Sequence, residues 1–153
     1  MNIEIRIDDL TDPRIAEFLD EHIKDMLSVS PPESKHALDL DGLRRPEITF
    51  WSVWSEANLI GCGAIKHLDP QHAELKSMRT ARTHRGRGVG KVILEHILEE
   101  ARTRGYRRVS LETGSMAFFE PARGLYRSYG FEICKPFADY KPDPNSVFMT
   151  REL

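Results

Sequence analysis

The chain has 153 residues, of which 40% are hydrophobic and 30% charged, as expected for one soluble globular domain with a core of its own. Its 2 cysteines are too few for a disulfide scaffold, and it has no bilayer-length apolar run and no signal-peptide pattern, so we expect a cytoplasmic protein with no membrane partner. The net charge of −2 excludes a protein that coats nucleic acid. The charge is unevenly distributed along the chain: residues 1–74 hold 7 basic and 15 acidic residues, whereas residues 75–94 hold 6 basic and no acidic residues. The basic stretch predicts an anionic ligand.

The first third of the chain predicts a strand, a helix and a long connection. Isoleucines alternate with polar residues over residues 3–7, which is typical of a half-buried strand. An oxygen-bearing cap and a proline then predict a helix that starts near residue 13, and helical apolar spacing carries it to about residue 27. Residues 28–46 form a connection, with a short helix predicted within 37–43. Connections of this length are often binding loops.

The rest of the chain alternates strand and helix patterns. Strands are predicted at 48–54, 59–68, 73–80, 107–113, 131–135 and 146–151, and helices at 89–101 and 120–129. No internal repeat or linker interrupts this order. The pattern therefore predicts a single mixed α/β domain over residues 1–153.

A glycine-rich segment, residues 83–91, lies between a predicted strand and the strongest predicted helix. Its glycines are Gly86, Gly88 and Gly90. A helix N-terminus presents unpaired N–H groups, and glycines let a phosphate approach them closely. The spacing fits neither the dinucleotide-binding fingerprint nor the P-loop. The remaining alternatives are a phosphate cradle of another kind and a tight turn with a solvated basic face.

Two motifs carry a resemblance to a known family. Arg85-x-x-Gly88-x-Gly90 matches the Q/R-x-x-G-x-G/A pyrophosphate loop of the GCN5-related N-acetyltransferases (GNAT), and residues 125–131, Leu-Tyr-Arg-Ser-Tyr-Gly-Phe, match their LYxxxGF motif. The sequence resembles this family over nearly its full length, and within it the YsnE-like bacterial branch. The resemblance implies a single-domain α/β fold whose mixed central sheet is splayed at the cofactor site, with helices on both faces.

The resemblance also implies acetyl-CoA as the donor. Backbone amides of the glycine-rich loop would hold its pyrophosphate, and residues 78–80 would run beside its pantetheine arm. Many members carry an asparagine where this chain has Phe119, so Ser115 is the substitute hydroxyl. The predicted cofactor-binding residues are Met78, Arg79, Thr80, Arg85, Gly86, Arg87, Gly88, Val89, Gly90, Lys91, Ser115 and Phe119.

Acetyl transfer to an amine requires a base, an oxyanion donor and an acid. The resemblance implies that Tyr126 protonates the leaving thiolate; the alternative is a core aromatic residue. Glu74 lies at the offset from the loop at which histone-acetylating members place their base; it could instead pair with a neighbouring cation while a water chain removes the proton. A backbone N–H near Met78 would hold the oxyanion. The other candidate bases are Glu47, Glu112 and His84.

The sequence leaves the acceptor open. The six histidines show no metal-binding spacing, so no metal is expected. We expect a small-molecule amine, because the acceptor loop at 30–36 and the following Asp39, Asp41, Arg44 and Arg45 mix both charges, which suits an amino acid, whereas the acidic residues 1–74 suit a polyamine. The irregular stretch 137–145 could close the pocket. The alternatives are a protein lysine or N-terminus as acceptor, and a non-catalytic CoA-binding module. Dimers are common among such relatives, so a homodimer is one expectation.

Overall fold

The computed structural model describes residues 2–29 and 40–153. In this part of the chain four helices and seven strands follow one another in mixed order. The strands are β1 (Glu4–Ile7), β2 (Ile48–Ser55), β3 (Asn58–Asp69), β4 (His72–Thr80), β5 (Arg108–Gly114), β6 (Glu132–Cys134) and β7 (Ser146–Glu152). The helices are α1 (Pro13–Val29), α2 (Leu40–Leu43), α3 (Val89–Thr103) and α4 (Glu120–Ser128).

All seven strands form one sheet in the order β1-β2-β3-β4-β5-β7-β6. The β4–β5 pair is parallel, and the other neighbours are antiparallel. Helix α3 connects the two parallel strands, as a parallel pair requires a crossover. The mixed sheet expected from the resemblance is therefore confirmed.

The sheet is splayed between β4 and β5. These strands pair only from His72 to Leu75 on β4 and from Arg108 to Leu111 on β5, and beyond Leu75 and Leu111 they separate. In the separated part, β4 also changes register against β3, where Ser77 takes a left-handed φ of 53°. A bulge of this kind bends a strand away from its partner. The result is a wedge between two strand edges, which confirms the expected splay.

Helices cover both faces of the sheet. On one face α3 packs closely against β3, because Gly61 and Gly63 have no side chain: a Cβ atom at either position would lie 2.7 Å from an isoleucine of α3. On the other face Ile15 and Leu19 of α1 form a second core with Phe50 of β2. The two cores bury most of the apolar residues that the periodicities predicted, but Ile7 of β1 is 70% exposed.

The predicted elements lie within about two residues of the observed ones. The short helix predicted within 37–43 is observed at Leu40–Leu43, and its earlier part lies outside the described residues. Two short 3₁₀ turns, Arg82–His84 and Ala117–Phe119, were not predicted. In the described ranges, no helix has both the length and the apolar character needed to cross a membrane.

Candidate active site

The wedge between β4 and β5 opens into a cavity of about 590 Å³. Its walls come from both strands, from α4, from the first turn of α3 with the loop before it, and from α1. Most of the predicted site residues line it: Glu74, Met78, Arg79, Thr80, Arg85, Gly86, Gly88, Val89, Gly90, Lys91, Phe119 and Tyr126. Neither Arg87 nor Ser115 does. The topology thus gathers residues from five elements around one space.

The glycine-rich loop leaves the start of α3 open. Gly88 is the N-cap residue, with a left-handed φ of 81° and no side-chain cap for the amides that follow. Gly86 is also left-handed, at 77°. A Cβ atom at either glycine would meet nothing within 4 Å, so these positions need glycine for their backbone conformation and not for lack of space. The uncapped amides of α3 are therefore available to an anion at the cavity wall.

Arginine side chains tie this loop to α1 through one carboxylate. Asp25 lies 3.0 Å from the Nη1 of Arg79 and 3.8 Å from the Nη2 of Arg85, and it also binds Arg82. Lys91 remains exposed at the cavity wall. The loop therefore combines helix amides with positive charge, which is the combination that an anionic ligand needs.

The backbone of Met78 to Thr80 borders the wedge. Arg79 and Thr80 pair with Cys62 and Gly61 of β3 on one edge, while the opposite edge of β4 has separated from β5. The free edge has the backbone donors and acceptors that a ligand in the wedge could bind.

The side chain of Arg79 turns away from this edge, toward α1. It is 3% exposed, and besides Asp25 it lies 3.2 Å from the Nδ1 of His22. Burial lowers the pKa of His22 to about 4, with the Arg79 charge as a second cause. A neutral His22 can accept a hydrogen bond from the guanidinium. Arg79 is therefore a buried cation at the cavity wall beside α1.

The structure does not place Ser115 where the sequence analysis expected it. Its hydroxyl donates to the Pro144 carbonyl at 2.8 Å, and its amide donates to the Asn145 carbonyl. The loop before β7 thus holds Ser115 outside the cavity. Phe119 does line the cavity, with its ring over Gly114, where a Cβ atom would overlap it at 2.1 Å. An aromatic surface occupies this side instead of a hydroxyl.

Tyr126 lies on α4 and lines the cavity, on the face of the sheet that α3 also covers. It is 7% exposed and packs edge-on against Phe131 at 5.8 Å. Burial raises its pKa, and the negative charge of Glu112 raises it further. Its hydroxyl forms no hydrogen bond with a described residue, so a protonated phenol is available as a donor within the cavity.

Glu74 lies on the opposite face of the sheet from Tyr126, in a buried polar cluster with Lys76 and Tyr140. Its Oε2 accepts hydrogen bonds from the Nζ of Lys76 at 3.0 Å and from the hydroxyl of Tyr140. Lys76 also donates to the Tyr140 hydroxyl at 3.0 Å. Tyr140 lines the cavity, as expected for a pocket-closing stretch. Glu74 thus pairs with Lys76, one of the alternatives that the sequence left open.

The other candidate bases differ in placement. Glu112 and His84 line the cavity, whereas Glu47 does not. Burial raises the pKa of Glu112 to about 7. A carboxyl group with that pKa can both accept and release a proton near neutral pH.

The predicted acceptor loop at 30–36 and Asp39 lie outside the described residues. Asp41, Arg44 and Arg45 are described, and they do not line the cavity. Arg44 instead donates to the Leu10 carbonyl at 2.6 Å. Sequence reasoning missed His22 and Asp25, although their i, i+3 spacing on a helix was a signal that they share one face.

Among the described residues, no group of three or more histidine, cysteine or acidic side chains could hold a metal ion. The described lining of the cavity offers backbone amides, carboxylates, phenols and cations.

Comparison with known proteins identifies the family. Residues 15–131 match the acetyltransferase (GNAT) family. The chain is 60% identical to the uncharacterized N-acetyltransferase YsnE of Bacillus subtilis over 99% of this chain and 100% of that protein. It is 52% identical to the uncharacterized N-acetyltransferase YedL of Escherichia coli, over 97% and 94% of the two chains. The chain belongs to the GNAT family.

The family membership confirms the resemblance, including the YsnE-like branch, and makes the chain an acetyl-CoA-dependent acyltransferase. A solved structure supports the fold: that of PaiA N-acetyltransferase from Thermoplasma acidophilum in complex with coenzyme A superposes with a TM-score of 0.76 at 17% identity, over 100% of both chains.

Proposed function

We propose that this GNAT protein transfers the acetyl group of acetyl-CoA to the primary amine of a small molecule by direct attack. One observation carries the proposal: a single cavity joins the uncapped, positively charged start of α3 to the β4–β5 wedge and to Tyr126. The α3 end suits the phosphates of CoA, the free β4 edge suits the pantetheine amides, and Tyr126 is where a thiolate would need a proton.

The cradle fits a phosphate-bearing cosubstrate on its own chemistry. Gly86 and Gly88 leave open space beside the amides of Val89, Gly90 and Lys91, which would hold the pyrophosphate together with Arg85. Residues 78–80 supply backbone groups for the pantetheine arm, and Phe119 supplies an apolar wall.

The reaction proceeds in one chemical sequence. The ammonium of the acceptor loses a proton to a base, and the free amine attacks the thioester carbonyl carbon. The oxyanion is held by a backbone N–H near Met78, the carbon–nitrogen bond forms, and the carbon–sulfur bond breaks. Tyr126 gives its proton to the thiolate and is restored by the second proton released from the nitrogen. The products are an amide, free CoA thiol and one proton on the base.

The buried cation Arg79 favours an amino acid over a polyamine as acceptor. Arg79 lines the cavity, and although Asp25 and Glu21 pair with its Nη atoms, its buried Nε has no hydrogen-bond partner within residues 2–29 and 40–153. A carboxylate on the acceptor would satisfy such a group, whereas a second ammonium would be repelled by it.

Two assays test the proposal. In a thermal-shift panel, CoA and acetyl-CoA should raise the melting temperature more than ATP or NAD at equal concentration. Thiol release from acetyl-CoA should then depend on an added amine, with amino acids giving more turnover than their amides or than spermidine. Stabilisation by CoA without turnover of any small amine or lysine peptide would contradict catalysis and favour a CoA-binding module. Turnover confined to lysine peptides would contradict the small-molecule acceptor.

A further inference from the structure

Glu112 occupies the apex of the wedge. The last paired residues of the two parallel strands are Leu75 and Leu111, so Glu112 is the first residue of β5 beyond the closed sheet, opposite Lys76 of β4. Glu74, by contrast, pairs with Ser110 inside the closed part. The carboxylate at the apex is therefore nearer to the opening through which a thioester and an amine could meet.

The charge of Glu112 also acts on tyrosines at two sides of the cavity. Burial is the main cause of the raised pKa of Tyr126, on the side of α4, and of Tyr140, in the polar cluster on the other face, and the charge of Glu112 raises both further. Glu112 lines the same cavity as Tyr126, the phenol proposed as acid, and Tyr140 of the cluster on the acceptor side. No described residue forms an ion pair with Glu112, whereas Asp25 and Glu74 each bind a cation.

The same geometry limits Glu74 as a proton acceptor. Its Oε2 already accepts from Lys76 and Tyr140, and it is 2% exposed. One of its two oxygens is therefore held by its neighbours, in a residue that is almost fully buried. Glu74 instead neutralises Lys76, the cation that faces Glu112.

We propose that Glu112, and not Glu74, takes the proton from the acceptor ammonium, and that Glu74 is a positioning residue that acts through Lys76. The inference rests on the proposed function and deepens it. In the step, one N–H bond of the ammonium breaks, its proton binds a Glu112 oxygen, and the nitrogen lone pair becomes free to attack. Glu112 returns the proton to water after the products leave.

The groups that face Glu112 set the pH at which it works. Burial is the largest influence and raises its pKa to about 7. Glu74 of β4 and Asp143 of the loop before β7 also raise it, while Lys76 of β4 and the nearby Ser146 hydroxyl of β7 lower it. On the side of α4, the neighbouring group is the uncharged phenol of Tyr126. A base must be ionised to act, so activity should rise with pH through about 7.

The experiment compares kcat/KM from pH 5.5 to 9 for the wild type, Glu112→Gln, Glu74→Gln and Glu132→Gln, with acetyl-CoA and the best amine of the panel. Glu132 is an exposed glutamate of β6 and serves as the matched control. Glu112→Gln should lower kcat/KM roughly 100-fold, and its pH profile should no longer show an ionisation near neutral pH. The pH profile of Glu74→Gln should still show the ionisation of Glu112, but at lower pH, because the Lys76 charge that Glu74 no longer neutralises favours ionised Glu112. Thermal shifts with CoA should show that all four proteins still bind it.

The outcomes distinguish a failure of the Glu112 assignment from a failure of the proposed function. Wild-type kcat/KM and pH profile in Glu112→Gln would overturn the assignment while leaving the proposed function intact. The same conclusion follows if Glu74→Gln loses activity with no shift of the profile. If the wild type turns over no amine, the proposed function fails, and the role of Glu112 fails with it.

Discussion

The Nζ of Lys76 lies 3.0 Å from the Oε2 of Glu74, and the two side chains are only 9% and 3% exposed. Removing one partner of such a pair leaves a buried charge uncompensated, which costs far more than an exposed pair contributes. Lys76→Met should therefore lower the free energy of unfolding by about 3 kcal/mol in urea titrations at pH 8.

The double variant Glu74→Gln/Lys76→Met is the control for that loss. Because it removes both charges and keeps an acceptor for Tyr140, it should recover roughly 1–3 kcal/mol relative to the sum of the single losses. Strict additivity of the two single variants would show that the pair contributes no coupling energy.

The raised pKa of Glu112 predicts that the free energy of unfolding depends on pH, and this can be measured without an acceptor substrate. Its pKa in the folded protein is raised from 4.5 to about 7, so its proton favours the folded state. That contribution is full below pH 4.5 and is lost as pH rises through about 7. Relative to the wild type, Glu112→Gln should therefore gain roughly 1–3 kcal/mol of unfolding free energy between pH 5 and pH 9. Urea titrations of both proteins at the two pH values measure this. A constant difference would show that Glu112 ionises normally.

Tyr126 should act on the chemical step and not on cosubstrate binding. Because the phenol is the proposed proton donor to the thiolate, Tyr126→Phe should lower kcat by about 100-fold or more, with little change in the affinity for CoA. Tyr129→Phe is the matched control: it lies in the same motif, but its hydroxyl binds Glu95 at the surface. Equal kcat in Tyr126→Phe and Tyr129→Phe would remove Tyr126 as the acid.

The sequence predicted the sheet, the helices and the position of the glycine-rich loop before α3 because these depend on local patterns: apolar periodicity, a helix start and glycine spacing. It could not predict the surroundings of Glu112, which depend on where β4 and β5 separate and on Asp143 and Ser146, more than 30 residues along the chain. The position of Ser115 outside the cavity could not be predicted for the same reason. Its hydroxyl binds the Pro144 carbonyl, a contact across 29 residues that no local pattern encodes.

Two glycines of similar geometry can separate cosubstrate binding from backbone strain. Gly88 and Gly105 have φ values of 81° and 87°, and a Cβ atom at either would meet nothing within 4 Å. Alanine at each should therefore cost a similar strain of about 1 kcal/mol in unfolding free energy. Gly88 precedes the first amides of α3, however, whereas Gly105 follows its last turn. Gly88→Ala should weaken CoA binding roughly tenfold in calorimetric titrations, because a loop displaced by that strain no longer aligns its amides with the phosphates, and Gly105→Ala should leave it unchanged. Equal CoA affinities in the two variants would mean that the phosphates bind elsewhere than at the start of α3.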